Sequence, residues 1–458
     1  MDATAAKTEL KRDLGTWAAA SIVVGTVIGS GIFLVPNTMI QRVGTVPLVF
    51  AVWIVGGLLS LAGALSYAEL AAAMPEAGGE YVYLREAYGP LWGFLYSWTQ
   101  MWVAKSGSIA TLATGFFLYV GNFFPRLDIV FYSLPLPLGP NGGPLEFRYG
   151  QLLAIALILG LAWLNYYGVK LGGEVQTAVT AVKVILIALI ILAGLALGQA
   201  HGPDAVPPVP LTFAGFVAAL VAALWAYDGW NNVSMVASEV RDPQRNLPRA
   251  LIGGTAGVIC IYLLANAAYF RVLMPSEVGA SQRVAAQMMG RIVGGFGANA
   301  VSIAAMISIF AALNGSILSG SRVPYAAARE GYFFAPVGRV NPVHRTPGVS
   351  IIVLSLWSCL LVLSGKYDDL FNLVIFASWI LYGMTAASVL VLRAKRPDLP
   401  RPYRTIAYPV VPLLFVLGAA ILVGSTFFDR RRESLMGVGL MAVGLPFYLH
   451  WKSKKNRA

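Results

Sequence analysis

Charged residues are scarce in this chain. Only 12% of its 458 residues are Asp, Glu, Lys or Arg, whereas 57% are hydrophobic and the mean hydropathy is +0.70. In a soluble globular domain roughly a quarter of the residues are charged. The composition therefore excludes a water-soluble protein and predicts an integral membrane protein.

Cysteine and histidine are also scarce. The two cysteines, Cys260 and Cys359, lie in apolar stretches, so they are predicted to be packing residues rather than a disulfide framework. The three histidines, at 201, 344 and 450, are far apart, and the sequence has no His-Glu-x-x-His, no phosphate-binding Gly-x-x-x-x-Gly-Lys-Ser/Thr and no Cys cluster. These absences disfavour a metal-dependent enzyme and an ATP-driven pump, and no cofactor or metal is expected.

Long apolar runs, by contrast, are abundant. A helix of about 20 apolar residues crosses the ~30 Å hydrocarbon core of a bilayer. Twelve such spans are predicted, at residues 16–41, 46–73, 91–123, 150–168, 172–199, 213–238, 250–270, 296–322, 348–364, 370–392, 408–427 and 434–451. The segments between them are rich in Pro, Gly and charge, as at 74–90, 241–249 and 393–404, and are predicted to be loops. No soluble domain is left over.

Lys and Arg are unevenly distributed between the connecting segments. If the N-terminus is cytoplasmic, 21 of them fall on the cytoplasmic side and ten on the other. The positive-inside rule then predicts a plasma-membrane (inner-membrane) protein with cytoplasmic termini, residues 1–15 and 452–458. The arginines at 430–432 fall on the opposite side, which leaves the placement of the last two spans open.

The net charge of +12 is interpreted as this topology signal together with contact with anionic lipid head groups. Nucleic acid is not an expected partner, because no basic patch with interleaved aromatics occurs outside the spans.

Two of the spans contain helix-breaking residues in their middle. The first has Gly29-Ser30-Gly31, and the sixth has Asp228-Gly229 followed by two asparagines. Backbone groups freed inside a bilayer cost several kcal/mol each unless protein or water satisfies them. The breaks therefore predict a cavity, although glycine kinks between packed helices are the alternative.

The two breaks occupy corresponding positions in two halves of the chain. Residues 16–199 hold spans one to five, residues 213–392 hold spans six to ten, and residues 408–451 hold two accessory spans. Paired broken segments are typical of transporters built from inverted repeats. A transporter of two parallel six-span halves would not align the breaks, and a channel would need a filter or ring of charges.

Three segments carry a resemblance to a known family. They are "GTVIGSGIF" at 25–33, "LWAYDGWNN" at 224–232 followed by "ASEVRDPQRNLPRAL", and "LNGSILSGSRVPYAAAREG" at 313–331. They resemble the L-type amino acid transporter family of the amino acid, polyamine and organocation superfamily, over residues 14–450. The resemblance implies an all-α leucine-transporter type fold, a five-plus-five inverted repeat with broken helices 1 and 6. It also implies sodium-independent exchange of amino acids, and a proton-coupled symporter or a non-transporting amino acid sensor on the same fold are the alternatives.

The same resemblance and the electrostatics of helix ends predict the substrate site. The half-helix after the first break points its positive N-terminus at the substrate α-carboxylate. The predicted carboxylate-side residues are Ile28, Gly29, Ser30, Gly31 and Ile32. The second break is predicted to bind the α-ammonium group through carbonyls near its residues Trp225, Ala226 and Gly229, and Trp225 matches the family's aromatic gate.

Asp228 is an intramembrane carboxylate and therefore a functional candidate. Family members with Asp here resemble transporters that accept cationic amino acids or cystine beside neutral ones. Neutral exchangers also carry an acid here, and Asp228 could instead cap the broken helix, so acceptance of cationic substrates stays open.

Lys183 lies near the middle of the fifth span, too deep to reach the membrane surface. It resembles the superfamily lysine whose ammonium occupies the second sodium site, and would link spans one, five and eight without sodium. Asn314, Ser316 and Ser319 of the eighth span are predicted to face Lys183 or the substrate. The alternative is a buried lysine that carbonyls satisfy without a role in transport. Lys105, in the third span, is either a packing partner or a pathway residue.

One departure from the animal members concerns partners. In those proteins a Cys between spans three and four bonds a heavy-chain subunit, but residues 124–149 contain no Cys. No covalent heavy-chain subunit is expected, in keeping with a bacterial member of the family, and the expected partners are amino acid substrates and membrane lipid.

Overall fold

The computed structural model describes residues 9–136, 143–199, 210–364, 367–429 and 431–457. Within these residues the chain is almost entirely helical. The helices are α1 (Thr16–Val27), α2 (Gly31–Val43), α3 (Val46–Ala73), α4 (Glu80–Tyr88), α5 (Pro90–Thr99), α6 (Lys105–Gly121), α7 (Tyr149–Tyr166), α8 (Val169–Leu197), α9 (Phe213–Ala226), α10 (Asn232–Met235), α11 (Pro243–Val272), α12 (Pro275–Ala280), α13 (Val284–Gly320), α14 (Arg322–Arg329), α15 (Gly348–Leu363), α16 (Tyr367–Lys395), α17 (Val410–Asp429), α18 (Arg431–Ala442) and α19 (Gly444–Arg457).

Shorter elements complete the described chain. A π-helix at Gln100–Ala104 joins α5 to α6, and 3-10 turns lie at Pro125–Asp128, Ala237–Glu239 and Ala335–Gly338. The strands β1 (Val130–Leu134) and β2 (Leu145–Arg148) pair as an antiparallel hairpin, which the sequence analysis did not predict. Residues 1–8, His201, Arg430 and positions 137–142 of the predicted 124–149 loop lie outside the described residues.

Each of the twelve predicted spans coincides with a helix or a group of helices. Within the described residues, eight continuous helical segments are long and apolar enough to cross a membrane, and the pair α1 and α2, bent by 41°, makes a ninth. Helices α9 and α15 are apolar but shorter. The prediction of an all-α, multi-pass membrane protein is confirmed, whereas the count of twelve and the division into two halves stay predictions.

Two predicted loops contain helix. Residues 74–90 hold α4, because the stretch from Glu80 to Tyr88 has neither Gly nor Pro and is flanked by Gly79 and Gly89. Much of 241–249 forms the first turns of α11, since Pro243 stands at the start of the helix, where its missing N–H would have no partner.

The eighth predicted span also differs from its helix. Helix α13 begins at Val284 rather than at residue 296, and non-helical backbone at Val293 and Gly294 separates its first turns from the span.

Close packing around α1 positions the site. Helix α1 lies against α8, α11 and α13. A Cβ added at Gly25 would lie 2.0 Å from Nε2 of Gln176, and one added at Gly315 would lie 2.5 Å from Cγ2 of Thr26. Glycine at both positions allows these approaches without a shift of the neighbouring side chains, so α1 packs closely against α8 and α13 near its end.

Candidate functional site

The first break separates α1 from α2. Helix α1 ends at Val27 and α2 begins at Gly31, so Ile28, Gly29 and Ser30 connect them. Ser30, the N-cap residue of α2, makes no side-chain capping bond. The positive end of the α2 dipole lies at this break, and the carboxylate position there stays a prediction.

The second break follows α9, which ends at Ala226. Gly229 in the turn has φ 107°, a conformation that side chains with a Cβ rarely adopt. The Thr26 hydroxyl of α1 donates to the Gly229 carbonyl at 2.8 Å. A Cβ at Gly229 would lie 3.1 Å from the Thr26 backbone, so the two broken helices meet at this point.

Tyr262 of α11 also joins the two breaks. Its fully buried hydroxyl lies 3.1 Å from the Val27 carbonyl at the end of α1 and 2.8 Å from the Ala226 carbonyl at the end of α9. Sequence reasoning missed this residue, and the available signal was a tyrosine inside the apolar seventh span. The Tyr262 hydroxyl, which has one proton to donate, therefore lies between the C-terminal carbonyls of both half-helices.

A cavity opens between the breaks, and helices α1, α2, α6, α9, α10, α13 and α16 contribute to it. Its lining combines glycine backbone, hydroxyl groups, three charged or amide side chains and two tryptophans. The lining residues are Thr26, Val27, Gly29, Ser30, Gly31, Lys105, Ser108, Thr111, Leu112, Trp225, Ala226, Asp228, Gly229, Asn232, Ser316, Ser378 and Trp379. The structure thus brings predicted residues of both breaks to one cavity.

Four predicted residues have other positions, and one of them, Asn314, is described with Lys183 below. The side chains of Ile28 and Ile32 are fully buried in the apolar core rather than in the cavity wall. Ser319 is absent from the cavity lining, and its hydroxyl donates to the Gly315 carbonyl of its own helix at 2.7 Å.

Lys183 lies at the junction of three helices. Its ammonium donates to the Gly25 and Ile28 carbonyls of the first break at 2.7 and 2.6 Å, with the Ser308 carbonyl of α13 at 3.5 Å. All three of these oxygens are backbone carbonyls, and the side chain is fully buried. The lysine connects α8 to α1 and α13.

The partners of Lys183 on α13 differ from the predicted ones. Ser308, which the sequence analysis missed, donates its hydroxyl to the Ile28 carbonyl at 2.8 Å. Asn314 instead bonds Asn165 and Gln176 at 2.8 Å each, and Ser316 lines the cavity. Ser308 lies two helical turns before Ser316 on α13. This spacing of serines is the feature of the sequence from which Ser308 could have been predicted.

A second lysine reaches the cavity from α6. The Lys105 ammonium donates to Oδ1 of Asn232 at 2.7 Å, at the start of α10. Asp228 accepts a hydrogen bond from the Tyr382 hydroxyl of α16 at 3.1 Å. Lys105 and Asp228 both line the cavity, so its wall carries one positive and one negative side chain.

Trp225 lies beside the α2 N-terminus. A Cβ added at Gly31 would lie 3.4 Å from Cζ3 of Trp225 and 2.8 Å from Cβ of Ala226. The indole is half-buried and forms part of the cavity wall. Its position is compatible with the aromatic gate that the resemblance implies.

Several known proteins are similar to this chain in amino-acid sequence over nearly its whole length. The chain is 33% identical to the serine/threonine exchanger SteT of Bacillus subtilis (strain 168), over 97% of this chain and 98% of that protein. It is 33% identical to the b(0,+)-type amino acid transporter 1 of Mus musculus, over 96% and 88% of the two chains. It is 34% identical to the large neutral amino acids transporter small subunit 2 of Homo sapiens, over 97% and 82%.

A family model described as amino acid permease matches residues 14–444, which include both breaks, Lys105 and Lys183. The descriptions of the family and of these relatives are those of amino acid transport proteins. The chain therefore belongs to the amino acid permease family of membrane transporters.

Proposed function

We propose that this protein is a sodium-independent exchanger of neutral L-amino acids that works by alternating access. The α-carboxylate binds the backbone amides of Ser30 and Gly31 at the start of α2, beside Gly29, whose own amide donates to the Val27 carbonyl at 2.8 Å. The α-ammonium binds carbonyls at the end of α9, beside Trp225 and Ala226. Trp225 closes over the bound substrate.

Lys183 carries the proposal of sodium independence. Its ammonium is held by two carbonyls of the broken helix and lies near a third on α13. Carbonyl oxygens from these helices are the ligands a coupling cation would use. A fixed ammonium in their midst supplies the positive charge that links the helices, so no sodium ion is needed.

The polar wall supports small substrates with hydroxyl groups. Ser108, Thr111, Ser316 and Ser378 line the cavity together with Asn232, and each can bond a small polar side chain. The relative named a serine/threonine exchanger is similar over nearly its whole length. L-serine and L-threonine are therefore the first substrates to test.

Topology and partners are proposed from the sequence. Both termini lie on the cytoplasmic side of the plasma membrane, following the distribution of Lys and Arg. The protein works without a disulfide-linked heavy chain, because residues 124–149 contain no cysteine.

The test is uptake of radiolabelled L-serine into liposomes that contain the purified protein. Uptake is expected to require unlabelled amino acid inside the liposomes. An obligatory exchanger changes between its outward-facing and inward-facing states only when substrate is bound. Replacing sodium with choline is expected to leave the initial rate similar. Liposomes without protein provide the background.

Three outcomes would contradict the proposal. A steep dependence of the uptake rate on sodium would show that Lys183 does not take the place of a sodium ion. Accumulation driven by a pH gradient without internal amino acid would indicate a proton-coupled symporter. Binding of serine without any flux would indicate a sensor.

A further inference from the structure

Lys105 and Asp228 place opposite charges on one cavity wall. We infer that Lys105 is a specificity-determining residue whose ammonium balances Asp228, so that the cavity accepts uncharged side chains and rejects cationic ones. This inference rests on the proposed function and names the substrate class of the same site.

The backbone of the third span delivers Lys105 to the cavity. The π-helix at Gln100–Ala104 ends directly before it, and a π-helical turn changes the register of the residues that follow. Such turns are frequent at functional sites. The local irregularity therefore points Lys105 inward.

The Lys105 side chain is held by contacts with two other helices. A Cβ added at Gly320 of α13 would lie 2.2 Å from Cγ of Lys105, so the aliphatic stem lies directly across this glycine. The ammonium then donates to Oδ1 of Asn232 at 2.7 Å. The aliphatic stem and the ammonium of Lys105 are therefore both held in place, so the position of its positive charge is fixed.

Two acidic side chains are relevant to the charge of Lys105. Asp228 lines the same cavity as Lys105. Glu80 is fully buried and lies outside the cavity wall, where it accepts hydrogen bonds from Asn231 and Ser234. At the surface that a substrate meets, the charges of Lys105 and Asp228 therefore cancel.

This balance decides which side chains fit. With the substrate carboxylate and ammonium bound at the two breaks, the side chain meets Lys105, Asp228 and the hydroxyl wall. A lysine or arginine side chain would add a second positive charge beside the Lys105 ammonium, and like charges in a desolvated site are strongly unfavourable. A serine or threonine hydroxyl adds no charge and finds hydrogen-bond partners.

Competition against serine exchange tests the inference. The readout is inhibition of radiolabelled L-serine uptake by external L-lysine relative to L-threonine. Lys105→Met keeps a stem of similar length across Gly320 and removes the charge. It is expected to strengthen lysine inhibition relative to threonine by at least about tenfold, because one repulsion disappears and Asp228 is left unpaired.

Matched variants separate charge from packing. Lys105→Arg keeps the charge and is expected to keep the wild-type preference. The double variant Lys105→Met/Asp228→Asn again has no net side-chain charge and is expected to lose the gained affinity for lysine. Lys170→Met removes an exposed lysine that pairs with Glu174 outside the cavity, and should change nothing.

Asp228→Asn provides a test that does not depend on Lys105→Met folding. It leaves the Lys105 charge unbalanced, so inhibition by L-glutamate is expected to strengthen instead of inhibition by L-lysine. If neither single variant shifts the charge preference in its expected direction, Lys105 is a packing residue and the inference is wrong. If the wild-type protein binds serine without exchanging it, the proposed function fails, but the same preferences can still be measured by binding.

Discussion

Gly29 and Gly31, two residues of the first break, differ in how much space surrounds them. A Cβ added at Gly29 would meet no atom nearer than 3.8 Å, the distance to Cδ2 of Leu112. A Cβ added at Gly31 would lie 2.9 Å from the Ala226 backbone. Gly29 therefore leaves space in the cavity, whereas Gly31 allows α2 to approach α9.

The same substitution is expected to act differently at these two positions. Gly31→Ala should lower the free energy of unfolding by about 1–3 kcal/mol, as overpacking does elsewhere. Gly29→Ala should leave stability nearly unchanged and weaken serine binding, because its methyl group takes space beside the carboxylate position. Thermal unfolding in detergent and a serine binding assay measure the two effects. Equal losses of stability would show that the contact at Gly31 is not tight.

At the scale of elements, Lys183 and Ser308 hold three helices together at the first break. The Ile28 carbonyl accepts from both the Lys183 ammonium at 2.6 Å and the Ser308 hydroxyl at 2.8 Å. Alternating access requires that helix contacts of this kind form and break in turn. In the proposed alternating-access cycle, the junction of α1, α8 and α13 is therefore the place where such contacts would form and break.

Removing the link should reduce transport more than binding. Lys183→Met keeps the volume of the stem and leaves the Gly25 and Ile28 carbonyls without their ammonium. Exchange of serine is expected to fall by at least about tenfold, since an unsatisfied buried polar group costs about 1–3 kcal/mol.

Ser308→Ala, which removes only one hydroxyl, is the graded control and should lose less. A Lys183→Met protein that exchanges serine at the wild-type rate would assign the lysine a purely structural role.

At the scale of the whole molecule, a buried ion pair joins the end of the sixth span to α14. Arg322 donates to both carboxylate oxygens of Glu239, at 2.7 and 3.0 Å, and both side chains are fully buried. Leu14 pairs with the same segment through backbone hydrogen bonds to Glu239 and Arg241, at 2.9 and 2.8 Å. The segment before α1 is therefore hydrogen-bonded to the segment that follows the second broken helix.

Breaking this pair should destabilise the whole fold. Glu239→Gln leaves the Arg322 charge buried without its partner, and such losses cost about 3–5 kcal/mol. The midpoint of thermal unfolding in detergent is expected to fall clearly. Glu174→Gln, in the exposed pair with Lys170, is the matched control and should leave the midpoint unchanged. A Glu239→Gln midpoint equal to that of the control would mean that water reaches Arg322.

The class of protein and the position of its two breaks could be predicted from the sequence. Low charge and long apolar runs suffice for a multi-pass membrane protein, because burial in lipid acts on composition along the chain. The Gly29–Gly31 and Asp228–Gly229 breaks were visible for the same reason, since a helix interrupted at membrane depth violates the local pattern. The family followed from the same segments.

Contacts between side chains of different spans could not be predicted from the sequence. Ser308 and Tyr262 satisfy carbonyls that are far from them in sequence, and Ser319 turns back to its own helix. Lys105 became part of the cavity through a π-helical turn and a glycine on another helix. Hydrogen bonds between spans depend on helix rotation and crossing, which close packing sets, and no pattern along one helix contains that information.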